Sequence, residues 1–288
     1  MSDANDALPV TIWQLRTLRL QFSNLPLLMG IVNVTPDSFS DGGNYFDPDR
    51  AVAQGLELQR QGAAILDVGG ESTRPYSESV DESEELRRVI PVVQRLSKEA
   101  RIPVSVDTSK PSVADAAMAA GAEIINDVSG FRDPGMIEVA LRHRAGICVM
   151  HMQGTPQDMQ NNPSYGDVVE EVFQYLAQQR DLLIAAGIPR DSICLDPGIG
   201  FGKTHEHNLD LVRRCARFHD LQCPILVGHS RKGFIGKVIQ DPDADRTAGT
   251  IGVAIRLAEH QMSILRVHDV AAVRHALLLH DACGARPS

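Results

Sequence analysis

No apolar run in this 288-residue chain approaches the ~18 residues that a membrane-crossing helix needs. Residues 1–6 are acidic and polar, without the basic and apolar regions of a signal peptide, so the expectation is a soluble cytoplasmic protein. Cysteine is scarce. The five cysteines are an odd number with no CxxC pair, which argues against a disulfide framework and leaves no paired-thiol motif. Cys148 and Cys194 lie inside apolar runs and read as buried, reduced thiols. Basic charge is also short, 28 Lys and Arg against 37 Asp and Glu, for a net charge of −9. That balance argues against nucleic acid or an acidic membrane as the main partner, while leaving room for a local basic pocket. No low-complexity linker or shift in composition divides the chain, so residues 9–283 are expected to form one domain, with residues 1–8 disordered and 284–288 frayed.

What the chain does have is a recurring short apolar run. Eight such runs, at 27–33, 64–68, 103–107, 123–126, 146–151, 192–196, 224–229 and 263–267, are too short for typical helices and rich in Ile and Val. This composition suits strands buried on both faces. Helical patterns lie between most of them. In 81–100, Leu86, Val89, Ile90, Val93 and Leu96 fall on one face, with acidic residues in the first turn and Pro91 expected to kink the helix or force an irregular turn. In 165–187, Val168, Val169, Val172, Phe173 and Leu176 form a similar stripe. Eight βα units predict a single (β/α)8 TIM barrel. An open doubly wound sheet is the alternative, but it would more often carry a Gly-rich nucleotide turn after the first strand, and that turn is missing. Alternating apolar positions in 12–22 predict a hairpin closing the bottom of the barrel.

The carboxyl end of every predicted strand carries a polar or functional group. In order these are Asn33, Asp67, Asp107, Asn126, Met150-His151, Asp196, Gly228-His229-Ser230 and Arg266-Val267-His268. In a barrel these ends converge on one mouth, where active sites of this architecture are built. A single Asp after a strand usually caps the next helix. Several Asp and Asn side chains at one rim demand partners or ligands, because desolvated carboxylates are costly when left alone.

These residues sit in motifs that resemble a known family. Residues 30–43 (Gly-Ile-Val-Asn-Val-Thr-Pro-Asp-Ser-Phe-Ser-Asp-Gly-Gly) are followed by Gly70-Glu71-Ser72-Thr73-Arg74-Pro75, Val106-Asp107-Thr108 and Ile125-Asn126-Asp127-Val128-Ser129. Then come Asp196-Pro197-Gly198-Ile199-Gly200-Phe201-Gly202-Lys203, Gly228-His229-Ser230-Arg231-Lys232 and Arg266-Val267-His268-Asp269. Seven motifs in this order, from about residue 27 to residue 270, resemble the dihydropteroate synthase family. The resemblance implies a TIM-barrel transferase that joins 6-hydroxymethyl-7,8-dihydropterin pyrophosphate to p-aminobenzoate. It further implies folate biosynthesis, a Mg²⁺ requirement, competition by sulfonamides and a homodimer formed through the last barrel helices.

By the same resemblance, the pterin edge falls to Asp107, Asn126 and Asp196, which offer acceptors in one plane, with Lys232 donating to ring acceptors. Met150 fits two roles, a soft wall against the pterin face or plain core filling. Asp67 is equally open between an orienting role and a cap. Asn33, Arg74, Arg266 and His268 resemble the pyrophosphate site, where Asn33 can give Mg²⁺ a neutral oxygen ligand. Phe39, Thr73, Pro75, Phe201 and Ser230 are the candidates to line the p-aminobenzoate pocket, and the loops that carry Phe39 and Thr73 are expected to close over the site and exclude water.

Some residues depart from the family pattern. Tyr76 replaces the usual Gly after Thr-Arg-Pro, and His229 and Gly233 flank Ser-Arg-Lys with less common residues. The triplet His205-Glu206-His207 suggests metal ligation but has no third ligand, and reads as a solvated turn at a helix start. Two other functions compete. One is a methyltetrahydrofolate-dependent methyltransferase, which would have no use for an anion site. The other is a non-catalytic pterin-binding paralogue, which loss of Asn33, Arg266 or Lys232 would have marked.

Overall fold

The computed structural model describes residues 10–35, 47–72, 77, 79–241 and 243–284. Eight parallel strands form the core: β3 (Leu27–Asn33), β4 (Ile65–Gly69), β5 (Val104–Asp107), β6 (Ile124–Asp127), β7 (Gly146–Met150), β8 (Ile193–Asp196), β9 (Leu226–Val227) and β10 (Ile264–Val267). They pair in the order β8-β7-β6-β5-β4-β3-β10-β9, and a parallel bridge between Leu195 and Ile225 joins the two ends into a closed barrel. The helices are α1 (Pro48–Arg60), α2 (Glu82–Glu99), α3 (Pro111–Ala119), α4 (Pro134–His143), α5 (Val168–Ala185), α6 (His205–Arg213), α7 (Gly233–Ile239), α8 (Thr247–Glu259) and α9 (Val270–Gly284). Local signals set several helix starts. Asp47, Asp81, Asp133 and Asp167 each accept backbone N–H groups from the first turn, and α1 and α4 place Pro directly after the cap.

The strands explain where the chemistry sits. Side chains alternate along each strand. The outward set, among them Leu28, Leu66, Val106, Ile125, Val149, Leu195 and Leu265, packs under the helices in one large apolar cluster. The inward set changes character with height. Low in the barrel stand Met29, Ile65, Ile124, Cys148, Cys194, Leu226 and Ile264. Two residues further along the same strands stand Asp67, Asn126, Met150, Asp196 and Arg266, one step up the inner face.

The hairpin of β1 (Ile12–Gln14) and β2 (Arg19–Gln21) lies under the apolar layer, as expected. Trp13 is fully buried there, and its indole N–H donates to Ser192 O at 3.0 Å. The apolar bottom is therefore plugged by the N-terminal segment, and the polar layer opens only at the carboxyl ends.

Two expectations need correction. The helix over 82–99 runs unbroken across Pro91, so of the two outcomes expected there the irregular turn does not form. Pro91 stands on the exposed face, where the carbonyl left without its partner can bond water. The run 224–229 gives only the two-residue strand β9. Pro224 has no N–H, and Ile225 O accepts from both Ser263 and Ile264, which breaks the regular ladder at its start. The four thiols at 148, 194, 215 and 223 are buried and unpaired, and Cys283 is exposed.

Candidate active site

The polar layer is a connected network. Arg266, rising from β10, spans the barrel interior: its Nε–H donates to Asp67 Oδ2 at 2.6 Å and an Nη2–H donates to Asp107 Oδ2 at 2.7 Å. Asn126 Nδ2 donates to the same Asp67 oxygen at 3.1 Å. Asp67 is wholly buried inside β4 and bonds no backbone N–H of a following helix, so the cap reading falls and the orienting one stands. Its second oxygen, Oδ1, has no hydrogen-bond partner among the described residues. An acceptor buried in that way calls for a donor.

Asp196 also caps no helix. Its Oδ1 accepts from Gly198 N at 2.7 Å, which shapes the Pro197-Gly198 turn, while α6 is capped by Thr204. Burial pushes Asp196 up to about 6, against the pull of the Gly198 N–H and Lys232. Burial likewise raises Asp107, only partly countered by Arg266. Burial depresses Lys232 to about 8. Arg266 moves the other way: the cost of its burial is outweighed by Asp67 and Asp107, which hold it firmly charged. Lys232 Nζ lies 4.0 Å from the centre of the Phe201 ring, a cation–π contact. Met150 joins Val128, Met152, Met159 and Phe201 in a small apolar cluster apart from the main core, so it forms part of a wall at the mouth.

The predicted anion residues have different neighbours. Arg266 is turned inward to the carboxylates, whereas His268 Nδ1 lies 3.0 Å from Ser230 Oγ, which also accepts from His268 N at 3.3 Å. Ser230 therefore touches the residue assigned to pyrophosphate while itself being assigned to p-aminobenzoate. Asn33 ends β3 beside Gly69 at the rim. Phe39, Thr73, Arg74, Pro75 and Tyr76 lie outside the described residues. His205 and His207 open α6, and His207 Nδ1 accepts from Thr204 N in a reciprocal cap.

Sequence reasoning missed a second cluster beside this one. Lys203 is buried with its ammonium 3.0 Å from His151 Nδ1 and 2.9 Å from Phe201 O. Both residues were in view, one in the Gly-Phe-Gly-Lys motif and one at a strand end, but they are 52 positions apart and nothing local links them.

The chain is similar to known proteins over most of its length. Residues 29–268 match the family model described as pterin binding enzyme. A dihydropteroate synthase of Synechocystis sp. is 45% identical over 257 residues, covering 88% of this chain and 89% of that protein. The Xanthomonas albilineans dihydropteroate synthase solved with 4-aminobenzoic acid superimposes with a TM-score of 0.89 at 43% identity, covering 96% of this chain and 100% of that one. The Yersinia pestis dihydropteroate synthase solved with a sulfonamide drug complex gives 0.89 at 39% identity, over 94% of this chain and 98% of that one.

Proposed function

The chain belongs to the pterin-binding enzyme family, and from that premise we infer that it joins 6-hydroxymethyl-7,8-dihydropterin pyrophosphate to p-aminobenzoate, giving 7,8-dihydropteroate and pyrophosphate. The observation that carries this reading is that Asp107, Asn126 and Asp196 stand buried at the carboxyl ends of their strands, with Lys232 at the start of α7 close by, its charge felt by Asp196. A pterin edge offers an amino group and ring N–H donors next to ring acceptors. Two carboxylates and an amide can accept from the donors, and Lys232 can donate to the acceptors.

In the reaction the bond between the pterin methylene carbon and the bridging oxygen breaks, and the oxygen leaves with the electron pair as pyrophosphate. The arylamine nitrogen then uses its lone pair to form the new bond and loses a proton to solvent. No nucleophilic side chain is needed, because electrostatic placement carries the catalysis. Asp67 and Asp107 fix Arg266 by two of its N–H groups, leaving others to face the leaving group. His268, held by Ser230, supplies a second donor. Phe201 and Ser230 are assigned to the arylamine side; the family resemblance gives Phe39, Thr73 and Pro75 the same role and Arg74 a role toward the pyrophosphate, and all four lie outside the described residues.

Mg²⁺ is part of the proposal. Among the described residues no group of three His, Cys, Asp or Glu could hold a metal, and Asn33 offers one neutral hard oxygen at the rim. That donor set suits a Mg²⁺ that keeps waters and takes its other ligands from phosphate. When bound it neutralises charge on the pyrophosphate. Val238, Ile239, Leu278 and Leu279, exposed on α7 and α9, support a homodimer through the last helices. The four buried thiols suit a reducing cytoplasm.

Mixing the protein with both substrates and Mg²⁺ should release pyrophosphate together with 7,8-dihydropteroate. Methyl transfer from methyltetrahydrofolate would favour the methyltransferase instead. Tight pterin binding with no turnover would favour the non-catalytic paralogue.

A further inference from the structure

Lys203 is 2% exposed, and its ammonium touches no carboxylate. Among the described residues its hydrogen-bond partners are neutral acceptors: Phe201 O at 2.9 Å, His151 Nδ1 at 3.0 Å and His151 O at 3.4 Å. A buried cation so placed is costly and calls for a reason. The acceptors belong to two different loops, one after β7 and one after β8, and each loop carries a wall of the mouth.

The loop after β8 is built to depend on such a post. Gly198, Gly200 and Gly202 all have positive φ, at 68°, 83° and 58°, so residues 198–202 form no regular element and make few bonds of their own. Its carbonyls are instead bonded from outside. Gly200 O accepts from Gln160 at 3.0 Å, Gly202 O accepts from the Tyr165 hydroxyl at 2.8 Å, and Phe201 O accepts from Lys203. The Phe201 carbonyl is the one next to the ring on which Lys232 rests.

His151 completes the link. Its backbone N–H donates to Asp196 O at 2.9 Å, and its carbonyl lies where a Cβ on Gly198 would come within 2.0 Å. Its ring packs edge-on to Tyr175, at 4.9 Å, with Nδ1 turned to the ammonium. Burial and the nearby Lys203 charge depress His151 to about 2, so it is a neutral acceptor, and burial lowers Lys203 to about 7. His151 also stands between Met150 and Met152, which belong to the same apolar cluster as Phe201.

We propose that Lys203 is a positioning residue for the arylamine: by holding Phe201 O, His151 O and His151 Nδ1 together, it sets the Phe201 ring against Lys232 and fixes the width of the mouth. This rests on the assignment of Phe201 to the p-aminobenzoate side. Lys203 itself touches no substrate in this account. Asp107, Asn126 and Asp196 reach the pterin from strand ends, so the pterin edge stays seated when the post is lost.

The test is steady-state kinetics on Lys203→Met, which keeps most of the stem and removes the donors. The KM for p-aminobenzoate should rise about tenfold, the scale of a single hydrogen bond, although the variant removes all three contacts of the post. The KM for the pterin pyrophosphate and kcat should change by less than about threefold. Unchanged KM values for both substrates would overturn the proposal, and so would an equal rise in both. Should Lys203→Met fail to fold, His151→Phe keeps an aromatic ring against Tyr175 and removes the Nδ1 acceptor together with the Nε2–H. It should raise the p-aminobenzoate KM alone, by about threefold, and no rise would overturn the proposal equally. If the unaltered protein makes no dihydropteroate, the functional reading fails rather than this one.

Discussion

Replacing Asp196 by Asn separates the ligand role from a structural one, because the two predict opposite changes. Asn can keep the turn, since its amide oxygen can accept from Gly198 N in place of Oδ1 at 2.7 Å. At the other position an acceptor becomes a donor, facing donors on the pterin. Removing one partner of a buried charge-assisted pair costs on the order of 2–5 kcal/mol, and about 1.4 kcal/mol is a factor of ten, so pterin affinity should fall roughly a hundredfold or more. Stability should move the other way. Burial pushes Asp196 from 3.8 to about 6, and each unit is worth about 1.4 kcal/mol. The ionised carboxylate therefore lowers stability at pH 7 by up to ~3 kcal/mol. Because the folded value lies above the unfolded one, folding takes up a proton between about pH 4 and 6. Stability contributed by this group falls across that window and is flat above it. Neutral Asn escapes the cost, so at pH 7 the variant should melt at or above the temperature of the unaltered protein. The advantage should vanish near pH 4. Binding has its own pH dependence: pterin affinity of the unaltered protein should drop as pH falls below about 6, where Asp196 gains its proton. Calorimetric titration and thermal melts across pH give both readings. A lower melting temperature with unchanged pterin affinity would refute the ligand role.

Four other substitutions probe three separate parts of the barrel. Arg266→Met leaves Asp67 and Asp107 buried without a cation, and should cost about 3–5 kcal/mol in denaturant unfolding. A near-neutral result would count against Arg266 as the cation that balances this pair of carboxylates. At the rim, His268→Ala should weaken pterin pyrophosphate far more than the pterin alcohol, and Asn33→Ala should raise the Mg²⁺ concentration needed for half-maximal rate. Equal weakening of both ligands would count against the anion assignment. Trp13→Ala at the barrel bottom should cost about 3–5 kcal/mol of stability while leaving the KM values of the surviving folded enzyme unchanged, as measured in dilute assays below its melting point.

The barrel was legible because its strands announce themselves twice, by short β-branched runs and by a functional group at nearly every carboxyl end. The hairpin was legible from alternation in 12–22, with Trp13 and Leu15 on the buried face. Sequence could not show that Asp67 orients rather than caps, since its partners Arg266 and Asn126 are 199 and 59 residues away. Lys203 escaped notice for the same reason. A lysine after Gly-Phe-Gly looks like surface charge until the fold brings His151 over it. The short β9 was hidden because an apolar run does not reveal which of its carbonyls will accept two N–H groups, nor how far Pro224 disturbs the ladder. Pro91 misled by local rule alone, because the rule does not know which face of the helix meets water.

A single-turnover experiment reads the reaction directly. Protein in excess over the pterin pyrophosphate, with Mg²⁺ and p-aminobenzoate, is quenched over time, and pyrophosphate and organic product are counted together. The structure predicts one pyrophosphate for each 7,8-dihydropteroate, identified by mass, and neither when Asp196 is Asn at the same substrate concentration. Pyrophosphate released without a matching pterin–arylamine product, or no release at all, would contradict it.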